Sequence, residues 1–333
     1  MRITILGAGS WGTTLAIILH QNNHQVSCWS FDADDVKTIL QTRINEKFLP
    51  GVNIPDAIRV TNNLEESIQD AEVVVVAVPS HVVRSVMGQL RLIQPKNAIW
   101  INVAKGIENG TLMRVSQVIQ TVGEIDPLKV AVLFGPSHAE EVSHQIPTAI
   151  VAASTSKETA TVVQHLFLTP YFRVYANLDI IGVELGGALK NIIALAAGIC
   201  DGAGFGDNTK AALMTRGLAE INRLGVQLGA SADTFAGLSG MGDLIVTCMS
   251  KHSRNRYVGE QIGRGRNLKE VLDEMVMVAE GVRTTESAYQ LAQRENIDMP
   301  ITEQVYKALF EGKPPVEAMK DLMTRESKIE DWG

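Results

Sequence analysis

Cysteine is scarce in this chain of 333 residues, with only Cys28, Cys200 and Cys248. They are odd in number and far apart, with no CxxC pair and no zinc-ligand spacing. That excludes a disulfide framework and argues against metal catalysis, and a reducing cytoplasm is the expected compartment. Repeats and low-complexity segments are absent. A basic excess is lacking too: 30 Lys and Arg against 37 Asp and Glu give a net charge of −7. This argues against a nucleic-acid partner while leaving room for a local basic pocket. The opening MRITILGAG holds too short an apolar stretch for a signal peptide. One apolar run, Ile180 to Cys200, is about long enough to span a bilayer, but Glu184, Lys190 and Asn191 inside it make stable membrane insertion costly. What is present, 45% hydrophobic residues, can bury a sizeable core in two domains.

Ile3 to Leu6 reads as a short strand. It is followed at once by Gly7-Ala8-Gly9-Ser10-Trp11-Gly12 and an apolar-periodic helix to about His20. This is GxGxxG in its strand–turn–helix context: Gly7 for the tight turn, Gly9 for approach of a pyrophosphate, Gly12 for close helix–strand packing. At the end of the second strand, Val26 to Trp29, an acidic residue would hydrogen-bond the ribose of NAD. Ser30-Phe31 stands there instead and Asp32 comes late, so the cofactor is NADPH or NADH, with NADPH favoured.

Strand and helix patterns then alternate. Strands are expected at 58–61, 73–78, 99–102, 130–134, 148–153 and 172–176, and helices at 64–69, 81–92, 112–122 and 157–166. The expected fold class is α/β: a Rossmann-like, doubly wound, mostly parallel sheet over residues 1–178, followed by an all-helical domain over 179–333. In such sheets ligands bind outside the carboxyl ends of the strands, which here carry Gly7 to Gly12, Pro79-Ser80-His81, Ala104-Lys105-Gly106 and Gly135 to Ala139. Lys105 is the only lysine among these edges. His81 and His138 rank lower, each at an expected helix start.

In the second half, GVELGGALKNIIALAAGIC places Lys190 on one helical face with Gly186, Gly187, Ile193, Ala194 and Ala197. An ammonium on a face stripped of bulk leaves room for close approach, and desolvation lowers its pKa toward proton-transfer use. Asp207 reads as the N-cap of a helix from Asn208 to about Leu228. Asp243, after the glycine cluster 237–242, reads equally as an N-cap or a catalytic partner, and Glu280 as the head of a glycine turn. Ser253-Arg254-Asn255-Arg256 opens a helix with a hydroxyl, a guanidinium and an amide, the makings of an anion site. No aromatic interleaving accompanies it, so phosphate or carboxylate is the expected guest, not nucleic acid. Together these features point to hydride transfer to or from a small anionic alcohol or ketone.

The blocks GAGSWGTTLA, VAVPSH, NVAKGIE, GPSHAEEV, GALKNIIALAAGICDGAGFGDNTKAALMTRGLAE, GMGDLIVTCMSKHSRNRYVGE and VAEGVRTTESA span nearly the whole chain in order. They resemble bacterial NAD(P)-dependent glycerol-3-phosphate dehydrogenases. The resemblance implies reversible reduction of dihydroxyacetone phosphate to sn-glycerol 3-phosphate, a step that feeds phospholipid synthesis. It implies Lys190 as the proton-transfer residue, Lys105 touching cofactor and substrate, and Asp243 and Asn191 as orienting groups with Thr247 close by. Ser253, Arg254 and Asn255 would hold the substrate, Arg254 reaching the cofactor as well. Gly135 and Ser137 would line the substrate side, while Ser10, Trp11, Ala139, Val278 and Glu280 would contact cofactor. Phe31 occupies the cofactor-side position where the family often has a basic residue, so a contact to a 2′-phosphate does not carry over. The apolar helical domain points to a homodimer. A related reductase of keto acids and a non-catalytic dinucleotide sensor are the alternatives. The joint presence of Lys190, Lys105 and Asp243 argues against the sensor, and the SRNR block with Lys105 favours phosphate over a keto acid.

Overall fold

The computed structural model describes residues 1–327, 329 and 330. It divides into two compact units, residues 1–104 with 115–180, and residues 105–114 with 181–333. The expected cut at 178/179 therefore misplaces one segment. Residues 105–114 belong to the second unit because their side chains are anchored there, as described below. The helix expected over 112–122 begins only at Val115 for the same reason.

The first unit begins with β1 (Arg2–Leu6), α1 (Ser10–Gln21), β2 (Gln25–Trp29) and α2 (Ala33–Thr42). A small hairpin, β3 (Ile44–Asn45) and β4 (Leu49–Asn53), precedes β5 (Arg59–Thr61), α3 (Leu64–Ile68) and β6 (Val73–Val76). Then come α4 (Val83–Leu90), β7 (Ile99–Asn102), α5 (Val115–Gly123), β8 (Val130–Phe134) and α6 (Ala139–Val142). β9 (Thr148–Ala153), α7 (Lys157–Phe167) and β10 (Phe172–Asn177) close the unit. Eight strands form one sheet in the order β10-β9-β8-β7-β6-β1-β2-β5, parallel throughout except for the antiparallel β8–β9 pair. β6 is Val-Val-Val-Val and buried along its whole length, as a central parallel strand covered on both faces must be. β1 lies between β2 and β6, where the strand order reverses, and Gly7 leaves the sheet at that switch point. α2 and the β3–β4 hairpin were not legible in the sequence. α2 is short and mostly polar, with only Val36 and Ile39 buried.

The second unit is helical: α8 (Ile180–Gly202), α9 (Asp207–Gln227), α10 (Ala232–Phe235), α11 (Asp243–Met249), α12 (Arg254–Gly263), α13 (Leu268–Asp273), α14 (Glu280–Arg294), α15 (Pro300–Phe310) and α16 (Pro315–Met323). α8 is long and apolar enough to cross a membrane, yet 94% of its apolar window is buried inside the protein. It is the central rod of a core that includes Leu185, Leu189, Ile192, Leu218, Leu224, Val258 and Leu291. α8 and α12 touch backbone to backbone. A Cβ on Gly198 or Gly202 would overlap the carbonyls of Arg256 or Glu260, and one on Gly259 or Gly263 would overlap those of Leu195 or Ile199. Only glycine permits so close a crossing, which offsets the helix propensity lost at the interior positions Gly198 and Gly259. α9 contributes a buried carboxylate: Glu220 accepts from the N–H groups of Ile301 (2.6 Å) and Thr302 (3.1 Å) and from the Thr302 hydroxyl, satisfying orphan donors at the start of α15. The expected cap Asp207 is the first residue of α9, and Gly206 precedes it as N-cap.

Candidate active site

In the first unit the glycine turn closes on itself. Gly7 has φ +120°, and a Cβ there would press on the Ala77–Val78 backbone that follows β6. A Cβ on Gly12 would overlap the Gly7 carbonyl, so both positions are glycine for packing. Gly9 differs. It is the N-cap of α1, it offers no side-chain cap, and a Cβ there would meet nothing within 4 Å. Space before a helix N-terminus, lined by backbone and flanked by two packing glycines, is the form of a pyrophosphate cradle. Ser10 and Trp11 form the first turn, and the Trp11 ring lies 6.2 Å from Phe172 of β10.

After β2, Ser30 is buried and the Phe31 side chain is 87% exposed. Asp32 caps α2, accepting from the N–H groups of Asp34 (2.9 Å) and Asp35, bonds that hold its carboxyl below the usual range. After β8, Ser137 donates to the Gly135 carbonyl at 3.0 Å, and Ala139 starts α6. His138 is the N-cap residue of α6 and His81 sits in a short 3₁₀ turn before α4.

In the second unit three charged side chains meet. Asp243, at the start of α11 and 1% exposed, accepts from Lys105 Nζ on Oδ2 at 2.7 Å and from Lys190 Nζ on Oδ1. Lys190 also donates to Thr247 Oγ1 at 2.5 Å, and Thr247 donates in turn to the Asp243 backbone carbonyl at 2.6 Å. Asp243 thus partners both lysines and is not an N-cap. Burial lowers the Lys190 pKa to about 7; Asp243 opposes the fall and Lys105 adds to it. Burial would raise the Asp243 pKa, yet Lys105 and Lys190 together hold it below its ordinary value. The bare face beside Lys190 is filled by the chain itself, because a Cβ on Gly186 would lie 2.7 Å from the Ser239 carbonyl. That carbonyl belongs to a π-helical turn, Leu238–Gly242, which delivers Asp243 to the lysine.

The SRNR block is a helix start, as its composition predicts. Ser253 is the N-cap of α12 and accepts from the Arg256 N–H at 3.2 Å. Arg254 Nη1 donates to the Val278 carbonyl at 2.8 Å, and Asn255 Oδ1 accepts from the Gly281 N–H at 2.9 Å. Glu280 is the first residue of the fifteen-residue α14, not the head of a glycine turn. The N-termini of α12 and α14 are therefore tied together. Asn191, next to Lys190 and 4% exposed, has its backbone carbonyl against Gly281, where a Cβ would be 2.8 Å away. The structure thus groups Lys105, Lys190, Asp243 and Thr247, and separately joins Arg254 to Val278 and Asn255 to Gly281. Sequence reasoning missed Arg114, Glu184 and Asn109. Glu184 was visible as an acid inside the apolar run, but its partner lies 70 residues away.

A glycine cradle at the switch point of a doubly wound sheet, and a buried lysine whose pKa is brought to about 7 beside a carboxylate, are the features of a dinucleotide-dependent oxidoreductase. The description NAD-dependent glycerol-3-phosphate dehydrogenase N-terminus matches residues 2–160, and the corresponding C-terminus matches residues 179–320. The chain is 56% identical over 333 residues to glycerol-3-phosphate dehydrogenase [NAD(P)+] of Thermoanaerobacter sp., covering 100% of both chains. It is 55% identical to that of Prosthecochloris aestuarii, over 99% of this chain and 100% of the other. The crystal structure of glycerol-3-phosphate dehydrogenase from Coxiella burnetii superposes with a TM-score of 0.93 at 36% identity, over 97% of this chain and 99% of that one. The chain belongs to the NAD-dependent glycerol-3-phosphate dehydrogenase family.

Proposed function

We propose that this chain interconverts dihydroxyacetone phosphate and sn-glycerol 3-phosphate with NADH or NADPH, and that its product feeds phospholipid synthesis. The observation that carries the reading is the Lys105–Asp243–Lys190 group, with Asp243 and Lys190 buried, on a chain of this family. The cradle at Gly7–Gly12 fits a dinucleotide, since Gly9 opens on space where a side chain would intrude. The further cofactor contacts that the family implies are Ser10, Trp11, Phe31, Ala139, Lys105, Arg254, Val278 and Glu280. NADPH is favoured, because Asp32 is engaged in capping α2 and Phe31 bears no charge to meet ribose hydroxyls. When bound, the reduced nicotinamide supplies hydride to the ketone carbon.

The chain's own part is the proton. In reduction the Lys190 ammonium gives a proton to the ketone oxygen and is left as the amine, which solvent reprotonates. In oxidation the amine takes the proton from the alcohol. A pKa of about 7 keeps both forms populated near neutrality. Asp243 and Thr247 fix the direction of the lysine. Lys105 and Asn191 stabilise negative charge developing on the oxygen. Ser253, Arg254 and Asn255 hold the phosphate at the N-terminus of α12, where helix polarity favours an anion, and Gly135 and Ser137 line the substrate. Three buried free cysteines, whose thiols burial pushes up to about 12, 11 and 12, support a cytoplasmic protein. Exposed Ile245 and Met249 on α11 support a homodimer.

The test follows loss of reduced-nicotinamide absorbance with dihydroxyacetone phosphate and with a panel of keto acids, for the natural chain and Lys190→Ala. Turnover of the phosphate ester is expected, lowered about 10²- to 10⁴-fold in Lys190→Ala with NADPH binding retained. Near-normal turnover in that variant would refute the role of the lysine, and turnover of a keto acid alone would refute the substrate.

A further inference from the structure

Residues 105–114 stand between β7 and α5 in sequence but form part of the helical unit. They fold back as a hairpin, closed by a bridge between Ile107 and Arg114 and by the Glu108 N–H bonded to the Met113 carbonyl at 2.9 Å. At its tip Gly110 and Leu112 take positive φ, +84° and +59°. For leucine that conformation is unfavourable, and it is held because Leu112 packs on the core around Ile107, which is itself 2% exposed.

Three polar anchors fix the hairpin to three different helices. Lys105 reaches Asp243 of α11 at 2.7 Å, Asn109 Nδ2 donates to Glu286 Oε2 of α14 at 2.6 Å, and Arg114 Nη1 donates to Glu184 Oε2 of α8 at 2.7 Å. The Glu184 side chain is 1% exposed and that of Arg114 is 16% exposed, so this pair is largely out of water. Removing one partner leaves a charge stranded in the protein, which makes the pair a strong constraint on the position of the chain. α8, which carries Lys190, therefore also holds the arm that carries Lys105.

We propose that Arg114 and Glu184 are positioning residues, whose buried pair docks the hairpin on α8 and so keeps Lys105 on Asp243. The proposal rests on the reading of Lys190, Asp243 and Lys105 as the acid–base group. The groups facing Lys190 are Asp243, Thr247 and Cys248 from α11 and Lys105 from the hairpin, with Asp201 and Lys210 acting on Cys248 from α8 and α9. Glu184 on its own helix is matched by Arg114. Of these groups, Lys105 is the one the hairpin moves. Its withdrawal removes a like charge from Lys190 and leaves Asp243 to that lysine, which then keeps its proton to higher pH. A loss of packing alone would lower activity without moving the profile.

The experiment measures kcat/KM for dihydroxyacetone phosphate reduction against pH in the natural chain, Arg114→Met, Arg114→Lys, Asn109→Ala and Lys105→Met. In Arg114→Met the alkaline limb is expected to move up by about one pH unit. Its kcat/KM falls several-fold at the optimum, and Arg114→Lys shows a smaller shift of the limb. Asn109→Ala loosens the tip while leaving the buried pair, so it should move the same limb by less; it decides the matter if Arg114→Met does not fold. If Lys105→Met moves the limb but neither Arg114→Met nor Asn109→Ala does, the hairpin proposal is overturned and the acid–base reading stands. An unmoved limb in Lys105→Met overturns the acid–base reading, and the proposal with it.

Discussion

Replacing Asp243 by Asn keeps the shape of the side chain and removes the charge that Lys105 and Lys190 share. In the natural chain Lys190, with a pKa of about 7, is about half ammonium at neutral pH. A carboxylate in direct contact is worth about one to three pKa units to an ammonium, so its loss should bring Lys190 to about 5. The ammonium fraction at pH 7 then falls from about one half to about one hundredth, which from protonation alone lowers ketone reduction roughly 50-fold. The three groups titrate as a unit, so the observable is the limb of the profile. The alkaline limb of kcat/KM for reduction, followed by nicotinamide absorbance, should move down by about two pH units and activity should partly return near pH 5. Cofactor binding and the far-ultraviolet circular dichroism should match the natural chain. An Asp243→Asn enzyme whose limb stays in place, or whose activity at pH 7 stays within about twofold, would show that Asp243 does not govern the proton on Lys190.

Two other outcomes follow from the packing of the second unit. Gly198→Ala places a methyl into the Arg256 carbonyl, so α8 and α12 must part. A loss of about 1–3 kcal/mol in a denaturant titration is expected, together with a raised KM for dihydroxyacetone phosphate, because Ser253, Arg254 and Asn255 move with α12. Unchanged stability and KM would mean the crossing has slack. Burial raises the Glu220 pKa to about 7, against the hydrogen bonds from Ile301 and Thr302 that favour its anion. A raised folded-state value means the folded chain binds the proton more tightly, so this contribution is complete below the ordinary pKa of about 4.5 and is lost as pH rises through about 7. Melting temperatures at about pH 5 and pH 8 should therefore converge in Glu220→Gln relative to the natural chain. An equal spread in both would remove Glu220 as the cause.

The sheet was largely legible because its signals are local. β7 and β8 fall on the residues that the apolar runs mark, since a strand buried on both faces has a continuous hydrophobic stretch with turn residues at its ends. The glycine turn was legible because Gly7 and Gly12 answer to the adjacent strand and helix. Lys190 stood out by contrast with its apolar neighbours, and Ser253 by its position ahead of a helical pattern. The pairing of Asp243 with both lysines was not readable, since it depends on contacts 53 and 138 residues apart in sequence and on a π turn of small residues. The same holds for Arg114. A short polar segment after a strand reads as a loop of the sheet, and only the partners Glu184 and Asp243 reveal where it belongs. Local pattern fixes an element, whereas long-range charge pairing decides which unit takes it.

The hairpin has a consequence for how the chain can be made. Lys105 leaves the ribosome 138 residues ahead of Asp243, an interval of roughly 7–28 s at common synthesis rates. Until α8 emerges the arm has no helix to dock on, and Ile107 and Leu112 wait for a core that is still being translated. The helical unit must therefore complete late, after a contact of high sequence separation that folds slowly. It also cannot be cut out as a continuous piece. A fragment starting at Ile181 would lack Lys105 and Arg114 and would have a gap where Ile107 belongs, and supplying residues 105–114 as a separate peptide is the direct way to refill it.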